Sequence, residues 1–349
     1  MLIKYEETLK EKLAQFNKRL YKNKKEKFVT QDSFKYYTNK TIYKSELWVL
    51  IKNSEIVASV TIKTQNYYVS GVKMSVNLIK LPISLAIVDK RYLWAPIALI
   101  QNIKVQFPYS YLLGMGGSQA TVANFFSKFD FKVKDIPFYI KHLNYFNILT
   151  QNPIILKYLK IVSKIKFNYP LIFTSYEDSA YKVEQVFDFD KEDLVDRKSN
   201  STFELVRESI QLNAIAPKEI SNFLKYRFFE NSIFVGTSVI FVSKNNNHKY
   251  FGNLKIAVIL DLYLLDKCKY KNKVIDSLVK KLKKNNIDII LFNCGDQNIL
   301  PLIKKNKWTK YKTQWAIAAS PELSKRIDLN NMYLTRLDGD GPINLGYNL

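Results

Sequence analysis

One carboxylate stands out by its surroundings. Asp261 interrupts the apolar run Leu254–Leu265, and an acid among Ile259, Leu260, Leu262 and Leu264 needs a physical reason to be there. Buried, its pKa would rise and suit it to take a proton from an attacking amine. Facing solvent on the strand's other side, or salt-bridged, it would do no chemistry. A few residues later Lys269, Tyr270, Lys271, Asn272 and Lys273 precede the apolar-periodic run Val274, Ile275, Leu278, Val279, Leu282. That spacing predicts a helix with cations in the turn before it and in its first residues, where free N–H groups and the helix dipole already favour an anion. Lysines there work against the helix itself, which points to a ligand or to a codon bias toward lysine.

Near the C-terminus, Arg336, Asp338 and Asp340 lie within Met332–Pro342, and Asp-Gly-Asp-Gly predicts successive tight turns. The two carboxylates are suited to accept hydrogen bonds from sugar hydroxyls or an amine, and Arg336 to hold a phosphate bidentately. The plainer alternative is a turn-rich tail in which Arg336 pairs with one aspartate. Two carboxylates fall short of a calcium ligand set. Elsewhere, Gly114-Met115-Gly116-Gly117 lacks the Gly-Lys-Ser/Thr of a phosphate loop and reads as a tight strand–helix turn. His142 and His248 are isolated, and Cys294 has no histidine near it in sequence to activate it. Cys268, in the basic turn, is placed for a lowered pKa. With two cysteines and two histidines in all, no His/Cys zinc site is expected.

The elements that must hold these residues follow from periodicity. Leu47–Ile51 and Ile56–Ile62 read as a hairpin, Leu81–Val88 as a buried strand, Ala95–Val105 as a helix and Tyr109–Leu113 as a strand. Next come the glycine turn, a helix from Ser118 through Lys128, and a strand over Phe131–His142. The second half repeats the order: strands Ser232–Val242 and Leu254–Leu265, a helix from Lys273 to Lys284, strand Ile287–Phe292, helix Gln297–Lys305 and strand Thr313–Ala319. Leu112–Gln119 parallels Ile290–Gln297, and Phe125–Phe131 parallels Leu302–Trp308. This pattern predicts two α/β (α+β) domains in tandem, over 1–145 and 201–349, joined by a linker over 146–200. Each is expected to be a mixed, mostly antiparallel sheet flanked by helices.

With 349 residues, 47% apolar and 14% aromatic, the chain has enough apolar side chains for two such cores, which excludes a disordered chain. Its longest apolar stretches are well short of the roughly 18 residues of a membrane helix, and a charged start without an apolar run argues for a cytoplasmic protein. The net charge of +23 favours anionic partners, among them an anionic membrane surface touched peripherally. Only seven of the 54 basic residues are arginine, which argues against nucleic-acid readout.

The element order, with its long strand, helix, strand, turn and short aromatic-ended helix, resembles the GNAT acyltransferase fold in tandem. That resemblance implies an acyl-CoA cosubstrate, acetyl-CoA or another, whose pantetheine lies where the long fourth strand splays from the fifth. Its pyrophosphate would sit on the turn behind the fourth strand. The first copy's turn, Asp89–Ala95, is crowded by Tyr92, Leu93 and Trp94 and resembles a degenerate site. The second copy's turn is polar and basic, so the resemblance places the cofactor on Leu264, Leu265, Lys269, Tyr270, Lys271, Asn272 and Lys273, with Asp261 as base. Neither copy has the family's glycines in that turn, and Phe126 and Ile303 stand where many members carry a thiolate-protonating Tyr. The segment Tyr333–Gly341 is similar to the ending of GNAT-like proteins of bacterial surface-polysaccharide loci. It implies N-acylation of an amino sugar, or of a nucleotide- or lipid-linked sugar, with Arg336, Asp338 and Asp340 on the acceptor. Two rival readings remain: an aminoacyl-tRNA-dependent transferase of the Fem type, and a non-catalytic scaffold.

Overall fold

The computed structural model describes residues 1–22, 44–153, 180–194, 201–244, 246 and 251–339. Two compact units emerge. The first holds Met1–Ile136, Ser201–Val206 and Thr313–Met332; the second holds Pro137–Asn200, Arg207–Lys312 and Tyr333–Leu349.

In the first unit, β1 (Leu2–Lys4), β2 (Lys44–Lys52), β3 (Glu55–Val69), β4 (Val72–Ser84), β5 (Ser110–Met115) and β6 (Lys132–Asp135) form one sheet with α1 (Lys10–Lys22), α2 (Trp94–Gln106) and α3 (Thr121–Ser127). β1 to β4 pair antiparallel. β4 and β5 run parallel and pair only at Asn77↔Ser110 and Leu78↔Tyr111. Ala58, Val60, Ile62 and Ile79 pack with Leu99, Ile100 and Ile103 of α2 on one face. Leu47, Val49, Ile56 and Ile83 pack with Leu13, Phe16 and Leu20 of α1 on the other.

The second unit builds its sheet from β7 (Phe138–His142), β8 (Tyr181–Val186), β10 (Phe223–Glu230), β11 (Ile233–Lys244), β12 (Lys255–Leu264), β13 (Ile289–Asn293) and β14 (Thr309–Tyr311). β9 (Phe203–Leu205) belongs to the first unit, beside β3. Among the described residues the α-helices of the second unit are α4 (Tyr145–Gln151), α5 (Ser209–Ile215), α6 (Lys271–Lys284) and α7 (Leu300–Lys305). Val274, Ile275, Leu278 and Leu282 are buried, so the apolar stripe read from the sequence is the face α6 turns to its sheet. β12 and β13 pair in parallel from Ile256↔Ile289 to Ile259↔Phe292. The tandem order is therefore present, and each sheet carries the same parallel pair.

The domain ends differ from the expected 1–145 and 201–349. The stretch expected as one strand over Phe131–His142 is two, and β7 pairs with β13 and β14 of the second unit. Conversely β15 (Trp315–Ala319) inserts between β5 and β6 of the first unit. Pro137 separates β6 from β7 and cannot donate to a ladder, so one continuous strand is disfavoured there. The strand expected over Leu81–Val88 ends at Ser84 and gives way to a 3-10 turn at Leu85–Ile87.

Candidate functional site

Both long strands are bulged just past their last parallel pair. In β4, Ser59↔Ile83 is followed by Thr61↔Lys80, so Leu81 and Pro82 stand against the single residue Val60. Leu81 has φ 47°, and Pro82 sits at a bulge, where a central strand tolerates proline. In β12, Val239↔Asp261 is followed by Ile240↔Ile259, which leaves Leu260 extra. A bulge bends its strand and re-aims the side chains beyond it, and here it comes where each long strand loses its parallel neighbour. The two gaps are then used in opposite ways.

In the first unit the gap opens into a cavity of about 310 Å³. β4 supplies Pro82 and Ser84, α2 supplies Leu99, and α3 supplies Thr121, Val122 and Phe126 to its wall. Ser84 and Thr121 bring the only hydroxyls in the lining, and the remaining lining residues are apolar. The glycine turn delivers α3 to this wall. Gly114, Met115, Gly116 and Gly117 all have positive φ, from 61° to 101°, which returns the chain sharply and would strain most other residues. Ser118, expected to cap α3, instead donates its N–H and hydroxyl to Asp135, and Ala120 holds the cap position.

In the second unit the gap is closed by the chain itself. Thr335 forms an antiparallel bridge with Cys294 just after β13, and the Gly295 N–H donates to the Leu334 carbonyl at 2.9 Å. From the same segment the Tyr333 hydroxyl reaches β12, donating to the Leu262 carbonyl at 2.7 Å and lying 3.1 Å from Asp261 Oδ1. Tyr333 through Asp338 thus spans from the end of β13 to β12 beyond its bulge.

A buried cluster of charges fixes that segment. Arg207 Nε lies 2.9 Å from Asp261 Oδ1, and its Nη2 lies 2.8 Å from Asp338 Oδ2; the three side chains are 0–1% exposed. The guanidinium stacks over the Tyr333 ring at 4.6 Å, and the Thr335 N–H and hydroxyl both donate to Asp338. Burial pushes the Asp338 carboxyl up, outweighing the Arg207 charge and the Thr335 N–H that hold it down.

These contacts correct the expected roles. Asp261 is enclosed and ion-paired, the salt-bridged alternative, and offers no face to an incoming amine. Asp338 is likewise buried, with Arg207 and the Thr335 N–H and hydroxyl on its Oδ2. Arg336 is half-buried and donates from Nε to the Asn293 side chain at 2.7 Å. Asp340 lies outside the described residues, as does His248.

The expected pyrophosphate turn is filled in the same manner. The Lys269 and Tyr270 N–H groups, just before α6, donate at 2.9 and 3.1 Å to the Glu230 carboxylate, so an internal anion holds the place an external one would take. Lys271 pairs with Asp266 at 3.3 Å, and the Asn272 carbonyl accepts from Asn306. Lys273 is exposed, while Leu264 and Leu265 are buried in the core. Cys268 sits beside Glu230, and burial first, then that charge, push its thiol up to about 11, opposite to the lowered value its basic turn suggested. Cys294 is buried, and burial raises its thiol well above the ordinary value.

The lysines before α6 were visible in the sequence, and Glu230, which accepts from the N–H groups of their turn, was not. Sequence reasoning also missed the first unit's cleft. The one signal for it was Phe126, aligned with the tyrosine position and now found in the cavity wall.

No protein-family model and no curated protein matches the sequence. Solved structures do resemble it. A conserved protein of unknown function from Enterococcus faecalis, described as a probable N-acyltransferase, aligns over 93% of this chain and 72% of its own at 8% identity, with a TM-score of 0.54. A GCN5-related N-acetyltransferase from Anabaena variabilis aligns over 91% of this chain and 72% of its own at 11% identity, with a TM-score of 0.53. At such identities the likeness is one of fold: mixed sheets flanked by helices, as in GNAT-like acyltransferases.

Proposed function

We propose that the protein is an acyl-CoA-dependent N-acyltransferase whose cosubstrate enters the first unit's cleft, between β4, α2 and α3. The observation that carries this reading is the contrast between the two gaps: one holds a cavity of about 310 Å³, the other is bridged by Tyr333–Asp338. The apolar wall suits the methylenes of a pantetheine arm, and Ser84 and Thr121 suit its amides. An amine nitrogen attacks the thioester carbonyl, the C–S bond breaks, the amine gives up a proton and CoA leaves as the thiol. No carboxylate is among the residues lining the cleft, so catalysis there rests on holding the reactants together and excluding water. The acceptor is an amino sugar, free or linked to a nucleotide or lipid, and the setting is the cytoplasm; similarity of the C-terminal segment to polysaccharide-locus proteins supports this acceptor.

The test is calorimetric titration with acetyl-CoA of the wild type, Val122→Trp and Lys271→Glu/Lys273→Glu. Val122 is 44% exposed at the cleft, so an indole there fills the entrance without crowding the core. Saturable binding lost in Val122→Trp and kept in the lysine variant is expected. Binding lost only in the lysine variant would return the cofactor to the second unit, and no binding in any protein favours the scaffold reading.

A further inference from the structure

Charge is divided unequally between the two faces of the second unit's sheet. Side chains alternate along its strands. Ile240, Ile259 and Phe292 pack on one face with Leu278 and Leu282 of α6 and Ile303 of α7. Val239, Phe241 and Val258 pack on the other with Phe189, Leu194 and Leu212. With their apolar sides committed to the sheet, α6 and the stretch 300–312 turn lysine outward. α6 has six lysines and 300–312 has five, against the single acid Asp276. Nine of these eleven lysines are exposed.

The two stretches adjoin. The Asn306 side chain donates to the Asn272 carbonyl at 3.2 Å, and Lys141 of β7 donates to the Asn306 carbonyl at 2.7 Å. Asp276 is half-buried, and its charged neighbours are Lys141, Lys273 and Lys280. The opposite face is built otherwise. Over the stretches that cover it, 187–194 and 208–219, acids outnumber lysines by six to two. There Lys225 of β10 pairs with Asp188, and Arg227 with Asp190 and Asp193. A codon bias toward lysine acts on every surface alike, so it does not produce this division.

We infer that the face formed by α6 and 300–312 is a docking surface for an anionic lipid bilayer. Its cations are lysines throughout, with no arginine to grip bases or phosphates bidentately. Such point charges suit a fluid array of negative headgroups better than a structured nucleic acid. Lysine stems lie along apolar material while their ammonium groups stay in the headgroup layer. Tyr311 stands between Lys310 and Lys312 on the edge strand β14 and is 42% exposed. A ring with a polar tip is favoured at a membrane interface. This contact is independent of acyl transfer and holds the protein at a bilayer whatever reaction it performs.

The experiment is co-sedimentation of the full chain with vesicles at about 0.1 M NaCl, made of phosphatidylcholine alone or with about 30% phosphatidylglycerol. Binding to the anionic vesicles only, lost at about 1 M NaCl where charges are screened within about 3 Å, is expected. Each lysine near such a surface is worth about fivefold in partitioning, so Lys304→Glu/Lys305→Glu/Lys307→Glu is expected to weaken binding by about 100-fold. The control Lys182→Glu/Lys191→Glu/Lys218→Glu makes the same change in net charge on the other face of that sheet and is expected to stay within about fivefold of the wild type. All six positions are exposed, and circular dichroism checks that both variants fold. A wild type that binds both kinds of vesicle alike, or neither, overturns the inference, as does a control that binds as weakly as the first variant. Transfer RNA at the same salt tests the other polyanion. A protein that binds it and ignores the anionic vesicles also overturns the inference and marks a nucleic-acid surface instead.

Discussion

Arg207 is the residue whose loss tests most directly what closes the second unit's gap. Its guanidinium serves two carboxylates, Asp261 at 2.9 Å and Asp338 at 2.8 Å, with all three side chains buried. Removing one partner of a buried pair costs about 3–5 kcal/mol, because the other charge stays behind without compensation. Arg207→Met strands two carboxylates and also removes the cation from the Tyr333 ring, itself worth about 1 kcal/mol. The expected loss at pH 7.5 is thus about 4–6 kcal/mol, a large share of the roughly 5–15 kcal/mol that holds a typical protein together. The sign of the pH dependence follows. Burial already raises the Asp338 carboxyl, and without Arg207 it rises further, so the folded variant binds a proton more readily than the unfolded chain does. Its stability therefore increases as pH falls, by up to about 1.4 kcal/mol per unit. Urea unfolding at pH 7.5 and 5.5 measures both effects. The variant Arg207→Met/Asp261→Asn/Asp338→Asn, which carries no stranded charge, is expected to recover most of the loss. A loss under about 1 kcal/mol for Arg207→Met, or one equal at the two pH values, would refute the reasoning.

Two further outcomes follow from local geometry. A Cβ on Gly236 would lie 2.2 Å from the Tyr263 carbonyl oxygen across the β11–β12 ladder, so Gly236→Ala is expected to cost about 3 kcal/mol in urea unfolding. Burial holds the Cys268 thiol at about 11 in place of 9.0. The unfolded chain then loses this proton between pH 9 and 11 while the folded chain keeps it, and stability falls as pH rises through that window by up to about 1.4 kcal/mol per unit. Cys268→Ala removes that component, seen as a shallower decline in urea midpoint from pH 9 to 11.

The order of elements was readable because each rests on local periodicity: the α6 stripe, the apolar runs of β12 and β13, and the glycine turn before α3 all stand where their spacing put them. Partners distant in sequence were not readable. Asp261 was noticed for being an acid in an apolar strand, but its meaning lay with Arg207, 54 positions earlier, and with Tyr333 and Asp338 far downstream. The lysines before α6 advertised an anion site, and only the fold shows Glu230 already in it. The alternation Ser59, Thr61, Lys63, Gln65 was equally plain, but it reads as a hydrated strand face until burial says otherwise. The crossing of β7 and β15 was invisible because period and turn chemistry fix a strand's existence without fixing its sheet.

That crossing has a consequence for how the chain matures. β5 is an inner strand only once β15 lies beside it, and β6 is attached to the sheet only through β15. During synthesis β15 leaves the ribosome roughly 200 residues behind β5, a delay of about 10–40 s at ordinary elongation rates. Over that interval the N-terminal half presents β5 as an open edge, able to pair with a foreign strand, while β7 waits for β13 and β14. The N-terminal sheet is therefore finished after most of the C-terminal one has been made.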